Sequence, residues 1–172
     1  MKTLQYVLIA IAFTASVFAQ STANSSATVT AQLKKGLSVS QVGGNLDFGQ
    51  IILTGNEQTP TITPNNGASF KVIGHPNKNI AITFGTVSLT NNAWVTTNGG
   101  TNSTLLFTPS VSQTGSSSSY VGSSSVTSGN ILPLVNVSGD GNMYVWVGGQ
   151  LSVASDQAHG DYTGTFTISV AY

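Results

Sequence analysis

The stretch that decides the fold is the C-terminal run DYTGTFTISVAY, residues 161–172. Apolar, aromatic or small side chains occupy one parity of this run, and hydroxyl side chains occupy the other. The first set is Tyr162, Gly164, Phe166, Ile168, Val170 and Tyr172; the second is Thr163, Thr165, Thr167 and Ser169. Because successive side chains of a strand point to opposite faces, this alternation predicts a half-buried β-strand.

Several other segments of the chain also look like β-strands. Candidate strands lie at residues 37–41, 46–52, 59–63, 69–73, 79–84, 105–109, 131–137, 143–147 and 150–153. Pairs and clusters of Gly, Asn and Pro separate them, and such residues favour turns. No window shows a convincing helical period. Short strands at this spacing predict an all-β fold, an antiparallel β-sandwich.

Composition narrows the possible functions. The chain has 172 residues, enough for one domain, and 40% of them are hydrophobic, which allows a real core. Only 6% are charged and the formal net charge is zero. No basic surface is available to neutralise phosphates, so we expect no nucleic-acid partner. The absence of Cys excludes a disulfide framework and a thiol nucleophile.

The first 19 residues have the features of a secretory signal peptide. Lys2 gives a positive start, residues 7–18 form an uncharged apolar core, and Val17 and Ala19 fit the positions before a cleavage site. The apolar run is shorter than the roughly 20 residues that span a bilayer. We therefore expect cleavage after Ala19 and an exported protein at the cell surface or outside the cell.

A search for reactive side chains gives no catalytic set. The cluster Asp156, His159 and Asp161 could hold a cation weakly, but a loop before the last strand also needs polar residues. No G-x-S-x-G elbow occurs, and no paired carboxylates are apparent. We expect no enzyme activity, no metal and no cofactor. Trp94 and Trp146 fit ordinary packing, or a contact with another subunit or a sugar.

Two further segments bear on the organisation of the domain. Residues 112–130, rich in Ser and Gly, fit a long exposed loop or a weak edge hairpin. At the start of the mature chain, residues 20–36 form an extension in which Ala27, Val29, Ala31 and Leu33 alternate with polar residues. This extension fits either the first strand of its own sandwich or a donor strand that completes the sheet of a neighbouring subunit. The pattern by itself leaves both open.

Three segments resemble the secreted bacterial family catalogued as domain of unknown function 4402. They are ATVTAQLKKGLSVSQVGGNLDFGQI (residues 27–51), FKVIGHPNKNIAITF (residues 70–84) and VGGQLSVASDQAHGDYTGTFTISVAY (residues 147–172). That family is similar to the spore-coat-U-like pilin domains of archaic chaperone–usher systems. The resemblance implies an incomplete immunoglobulin-like sandwich over residues 37–172, which a donor strand completes.

The resemblance also implies a function. It favours the donor-strand interpretation, with Ala27, Val29, Ala31 and Leu33 as donor residues. The acceptor groove would involve the C-terminal strand, through Tyr162, Phe166, Ile168, Val170 and Tyr172. The expected protein is a structural subunit of an extracellular filament, a pilus or fimbria, that supports adhesion or biofilm. Its partners would be copies of itself, with a periplasmic chaperone and an outer-membrane usher. The alternative is a self-contained secreted or cell-surface β-sandwich that binds or adheres.

Overall fold

The computed structural model describes residues 27–172, so the predicted signal peptide at residues 1–19 lies outside the described residues. Two units are distinguished, residues 27–32 and residues 33–172. Residues 27–32 are exposed and belong to no strand or helix. In residues 33–172, two antiparallel sheets face each other across a common core, which confirms the predicted all-β sandwich.

The second unit contains eleven strands and one short α-helix. The strands are β1 (Ser38–Gly43), β2 (Thr61–Ile62), β3 (Ala68–Gly74), β4 (Asn79–Phe84), β5 (Val87–Thr90), β6 (Thr104–Gln113), β7 (Ser124–Val126), β8 (Asn130–Pro133), β9 (Val135–Val137), β10 (Asp140–Ser152) and β11 (Ile168–Ala171). The α-helix is α1 (Asn92–Asn98), and a single 3-10 turn spans Pro64–Asn66. Within residues 27–172, no helix has the length and apolar character that crossing a bilayer requires.

Strand β10 organises the large sheet, whose order is β1-β3-β10-β6-β5. It pairs with β3 from Gly141 to Val147 and with β6 from Val145 to Ser152. Strands β2 and β9 also pair with β10, and β7 pairs with β6. The small sheet has the order β11-β4-β8. Strand β1 is therefore at one edge of the large sheet, and β11 is at one edge of the small sheet.

The main core lies between the two sheets. Its buried members are Val72, Ile80, Ile82, Val111, Val126, Leu134, Met143, Val145 and Val147. From the last strand, Phe166, Ile168 and Val170 pack against this cluster. A second apolar cluster surrounds buried Leu105, Phe107, Leu151 and Val153, beneath the ends of the sheets where β5 and β6 pair. The interior is therefore divided into a main core and a second cluster toward one end.

The predicted strand over residues 131–137 is two strands in the structure. Its first half is β8 in the small sheet, and its second half is β9 in the large sheet. Between them Leu134 is buried, with 1% of its surface exposed, and its backbone bonds to the turn at Asn77 and Lys78. The chain changes sheets at a buried leucine, and a single apolar run spans the change.

The two strands predicted at residues 143–147 and 150–153 are a single strand in the structure. The pair Gly148–Gly149 suggests a break between two strands, but β10 runs through it without interruption. A Cβ on Gly148 would lie 2.2 Å from the carbonyl oxygen of Ile62, and one on Gly149 would lie 2.4 Å from that of Thr108. These glycines allow neighbouring backbone to approach closely, and they do not form a turn.

Three other expectations need revision, and one open alternative is resolved. The segment Asn92–Asn98 is the helix α1, although its sequence shows no helical period, because the pair Asn91–Asn92 at its start resembles a turn. Residues 46–52 form no strand. The Ser/Gly-rich segment is the edge hairpin of the two alternatives, because β7 pairs with the end of β6. Of the eleven alternating C-terminal residues, only Ile168–Ala171 pair as a strand.

Candidate acceptor groove

Two extended runs border the gap between the edges of the sheets. Residues 46–53 follow β1, and residues 162–167 precede β11; we call them the N-terminal and C-terminal edge segments. In the first, Leu46 and Phe48 are half-buried and Asp47 is exposed; in the second, Tyr162 and Phe166 are half-buried. Both segments thus present alternate side chains inward, as strands do, although neither belongs to a sheet ladder.

The backbone of the C-terminal edge segment is open for pairing. Within residues 27–172, Thr163 exchanges two hydrogen bonds with Thr90, and residues 164–167 have no backbone partner. Strand β11 pairs with β4 along one side, and its other side has no strand among the described residues. Unpaired N–H and C=O groups in a row are a template for an added strand.

Two clefts lie along the gap between the two edge segments. The large cleft has a volume of about 840 Å³ and is bordered by residues 46–51 and residues 157–162. The small cleft has a volume of about 360 Å³, and Phe166, Gly164 and Phe48 are in its wall. Leu46, Phe48 and Leu89 border both clefts, so the two are neighbours along one groove.

The floor of this groove is apolar. Leu105, Leu151 and Val153 of the second cluster lie beneath the large cleft, each with 6% or less of its surface exposed. The ring of Phe107 is beneath the small cleft. It makes edge contacts with Phe48 at 5.9 Å and with Phe166 at 6.1 Å between ring centroids. One floor residue therefore contacts both edge segments and fixes their separation.

Hydrogen bonds hold the outer wall of the large cleft. The Tyr162 hydroxyl donates to the carbonyl of Ala158 at 2.6 Å and accepts from Gln157 Nε2 at 2.8 Å. The indole of Trp94, on α1, packs edge-on against the His159 ring at 5.1 Å. A Cβ on Gly160 would approach this indole to 3.1 Å. The role of Trp94 in this wall is packing, and α1 provides the indole.

Trp146, the other tryptophan, lies on the outer face of β10. Its Nε1 donates to Thr114 Oγ1 at 3.0 Å, and the ring of Tyr120 packs edge-on at 5.6 Å. The Ser/Gly-rich hairpin is thereby folded against the large sheet. This arrangement matches the packing alternative for Trp146.

The predicted groove residues separate into three positions. Tyr162 borders the large cleft and Phe166 the small cleft. Ile168 and Val170 point into the main core and border neither cleft. Tyr172, with 44% of its surface exposed, lies at the far end of β11. Sequence alternation finds the correct face, but only the first half of that face borders the groove.

Tyr172 fixes the point where the N-terminal arm, residues 27–33, joins the domain. Its hydroxyl accepts a hydrogen bond from the His75 backbone N–H at 2.7 Å and donates one to the carbonyl of Lys35. The Lys35 backbone N–H donates to His75 Nδ1 at 3.3 Å, and its side chain pairs with Asp140. We call this group the root of the arm. No local sequence pattern indicates this group, because its members are far apart along the chain.

The residues predicted to form a donor strand are all exposed. Ala27, Val29, Ala31 and Leu33 belong to no strand, and 92% of Val29 and 84% of Leu33 are exposed. Large apolar side chains are seldom so exposed in a row on a monomer. The four residues also share one parity, so a strand built from them would present them on one face.

Nowhere in residues 27–172 do three His, Asp or Glu side chains meet where they could hold a metal ion. Asp161 and His159 border the large cleft, whereas Asp156 does not. The groove therefore offers an apolar floor, two open edges and a polar outer wall, which suits a peptide strand.

Comparison with known proteins places the chain in a family. No curated protein matches it. A family model described as a domain of unknown function (DUF4402) matches residues 18–172, which include the whole sandwich and the arm. This match confirms the family that the three sequence segments indicated. The chain belongs to the DUF4402 family.

Proposed function

We propose that this protein is the structural subunit of an extracellular filament that assembles by donor-strand exchange. The arm of one copy, residues 27–33, adds a strand between the edge segments of the next copy. The observation that carries the proposal is the combination of an exposed alternating arm with an open apolar groove in the same chain. Each feature is unfavourable in isolation, and strand addition removes both.

The dimensions of arm and groove agree. Seven residues in a strand extend about 23 Å at roughly 3.3 Å per residue. The inward-facing run from Tyr162 to Ile168 also contains seven residues, so the arm matches its length. The two clefts lie side by side along this run, and the arm carries two large apolar side chains, Val29 and Leu33.

The energetics favour a durable contact. Burying Val29 and Leu33 contributes roughly 1.5–3 kcal/mol for each side chain. Every new ladder hydrogen bond contributes about 1 kcal/mol net. Strand addition on both sides of the arm would form several such bonds. A filament held in this way needs no covalent link, which suits a chain without cysteine.

The predicted leader supports the extracellular setting. Residues 1–19 would direct export, and the family match begins at residue 18, beside the predicted cleavage site. A subunit with an open groove exposes apolar surface before assembly. A periplasmic chaperone and an outer-membrane usher would protect and deliver it, as the resemblance to chaperone–usher pilins implies. The assembled filament would support adhesion or biofilm formation.

The parity of the arm provides a sharp test. Val29→Asp places a charge on the face that would enter the groove, so we expect filaments on producing cells to be lost. Thr30→Asp is the matched control: the same charge one residue away, on the opposite face, should leave filaments in place. Electron microscopy of cells with each variant, with secreted protein measured by immunoblot, distinguishes the two.

Contrary results would be equally clear. If both variants assemble normally, the arm does not enter a groove. If the wild-type protein is a monomer, with the arm packed on its own domain, the self-contained surface module becomes the better description.

A further inference from the structure

Positive charge is concentrated at the root of the arm. Lys35 pairs with Asp140 there, and Lys34 Nζ lies 5.5 Å from the centroid of the Tyr172 ring. Lys78 belongs to the same end of the domain, because its backbone N–H donates to the carbonyl of His75 at 3.4 Å. Three lysines and one carboxylate thus surround the root.

Negative charge is concentrated at the opposite end. Strand β10 runs from Asp140 at the root to Ser152, and Val153 beyond it bridges to Gln58 and borders the large cleft. Four exposed carboxylates lie around this end: Asp47, Glu57, Asp156 and Asp161. Asp47 and Asp161 border the large cleft. Among residues 27–172, Lys35–Asp140 is the only salt bridge, so these four carboxylates have no ion pair there.

We propose that Lys34 of one copy docks against the carboxylates of Asp161 and Asp47 at the large cleft of the next copy. This inference rests on the proposed strand exchange and specifies its direction and register. The occupant of the large cleft is then the C-terminal end of a neighbour's arm. The lysines at the root of the arm and the carboxylates at the large cleft have complementary charges, and this complementarity identifies that occupant.

Direction follows from the charges. An arm antiparallel to the C-terminal edge segment brings the root of the donor to the carboxylate end of the acceptor. A parallel arm would bring root to root, with lysines facing lysines. Opposite charges attract and like charges placed face to face are unfavourable. The antiparallel direction is therefore selected, and its ladder is also slightly more stable per residue.

Register follows from the spacing of residues. In an antiparallel ladder with Leu33 opposite Tyr162, the next residue, Lys34, stands opposite Asp161. The same register puts Ala31 opposite Gly164 and Val29 opposite Phe166. Leu33 then enters the large cleft and Val29 the small cleft, with Ala31, a small residue, beside Gly164. The ionic pair and the apolar fit thus agree on one alignment.

A charge-swap experiment tests the contact in the full exported chain. We expect Lys34→Glu and Asp161→Lys each to reduce filament yield about 3- to 10-fold, because like charges would oppose docking. The chain with both substitutions should recover to within about twofold of wild type. Lys71→Glu and Glu57→Lys are matched controls, since they change charge equally at residues that border neither cleft. Yield is measured by electron microscopy of sheared filaments.

The outcomes separate this contact from strand exchange itself. Recovery in the double variant supports the contact and shows that both substitutions permit folding. Filaments that persist unchanged in both single variants overturn the contact and leave strand exchange standing. Equal losses in the lysine and glutamate controls overturn it in favour of a general charge effect. A wild-type chain that never assembles overturns both.

Discussion

At the residue scale, a few polar side chains hold the parts of the molecule that the groove needs. Tyr172 is the last residue, yet its hydroxyl joins the root of the arm to the turn after β3. Tyr162 has the same parity and uses its hydroxyl to hold the outer wall of the large cleft. The C-terminal alternating run therefore has a tyrosine near each of its ends, and the hydroxyl of each tyrosine bonds to backbone groups.

Asn91 is a second such residue and carries a prediction. It is fully buried, its Nδ2 donates to the carbonyl of Thr101 at 3.0 Å, and its Oδ1 accepts from the Ser103 N–H at 2.7 Å. Asn91→Ala leaves these groups unsatisfied, so we expect the free energy of unfolding to fall by about 2–3 kcal/mol. Urea denaturation measures the change.

The neighbouring Asn92→Ala is the control for Asn91→Ala. Asn92 is exposed, and its replacement should change stability by less than about 0.5 kcal/mol. Equal effects of the two substitutions would show that the hydrogen bonds of the buried Asn91 amide do not contribute to stability.

At the element scale, the edge segments show how strand-like sequence and strand pairing differ. Residues 162–167 alternate as β11 does, and Tyr162 and Phe166 face inward. Ladder pairing nevertheless stops at Ile168, because β4 ends at Phe84; before that point the run makes only a single bridge, between Thr163 and Thr90 of β5. Alternation reports which side chains are half-buried; it does not report whether a neighbouring backbone is present.

The glycines of β10 give a prediction at this scale. A Cβ on Gly148 would meet backbone atoms of residues 62–64 at 2.2–2.6 Å, and backbone cannot move aside as a flexible side chain can. Gly148→Ala should therefore destabilise the domain by about 2–3 kcal/mol, an overpacking cost. Thermal denaturation of the purified protein measures it.

Gly85→Ala is a suitable control for this substitution. Nothing lies within 4 Å of the added Cβ, and Gly85 has no positive φ. We expect a change within about 0.5 kcal/mol. A Gly148→Ala protein as stable as this control would mean that β2 does not press against β10.

At the scale of the whole molecule, the two ends of the domain differ in charge and in shape. Lys34 and Lys35 are at one end of β10, and the large cleft and the exposed carboxylates of Asp47 and Asp161 are toward the other. Under the proposed strand exchange, a molecule with complementary ends of this kind would associate head to tail. Such heterologous contacts produce open filaments when the rotation between copies does not close a ring.

Removal of the arm tests this description of the whole molecule. A chain that lacks residues 20–33 should form no filaments, and it should unfold more easily than the wild-type subunit does in its filament, because its groove stays empty. A peptide of residues 20–33 at 100 times its Kd should stabilise that chain by about 2.7 kcal/mol. Thermal denaturation with and without peptide measures this.

The same peptide with Val29→Asp is the control for the added arm and should have little effect. A truncated chain that is as stable as wild type and indifferent to both peptides would contradict an unfilled groove.

The sequence by itself determined the fold class, the family and the inward face of the last strand. Those properties depend on local alternation, turn residues and recognisable segments, all of which are continuous along the chain. Asn79–Phe84 is a candidate strand whose limits agree with β4, since turn residues mark both of its ends. The parity of Tyr162, Phe166, Ile168 and Val170 is likewise correct, since half-burial repeats every second residue.

Only the tertiary structure decided where the groove is and what surrounds it. Residues 46–53 and 162–167 are more than a hundred residues apart, and neither forms a strand of a sheet, so no local pattern marks them as opposite sides of one gap. The same reason applies to the root of the arm, where Lys35, His75, Asp140 and Tyr172 meet. Contacts between distant segments depend on how two sheets pack, which a pattern of period two does not encode.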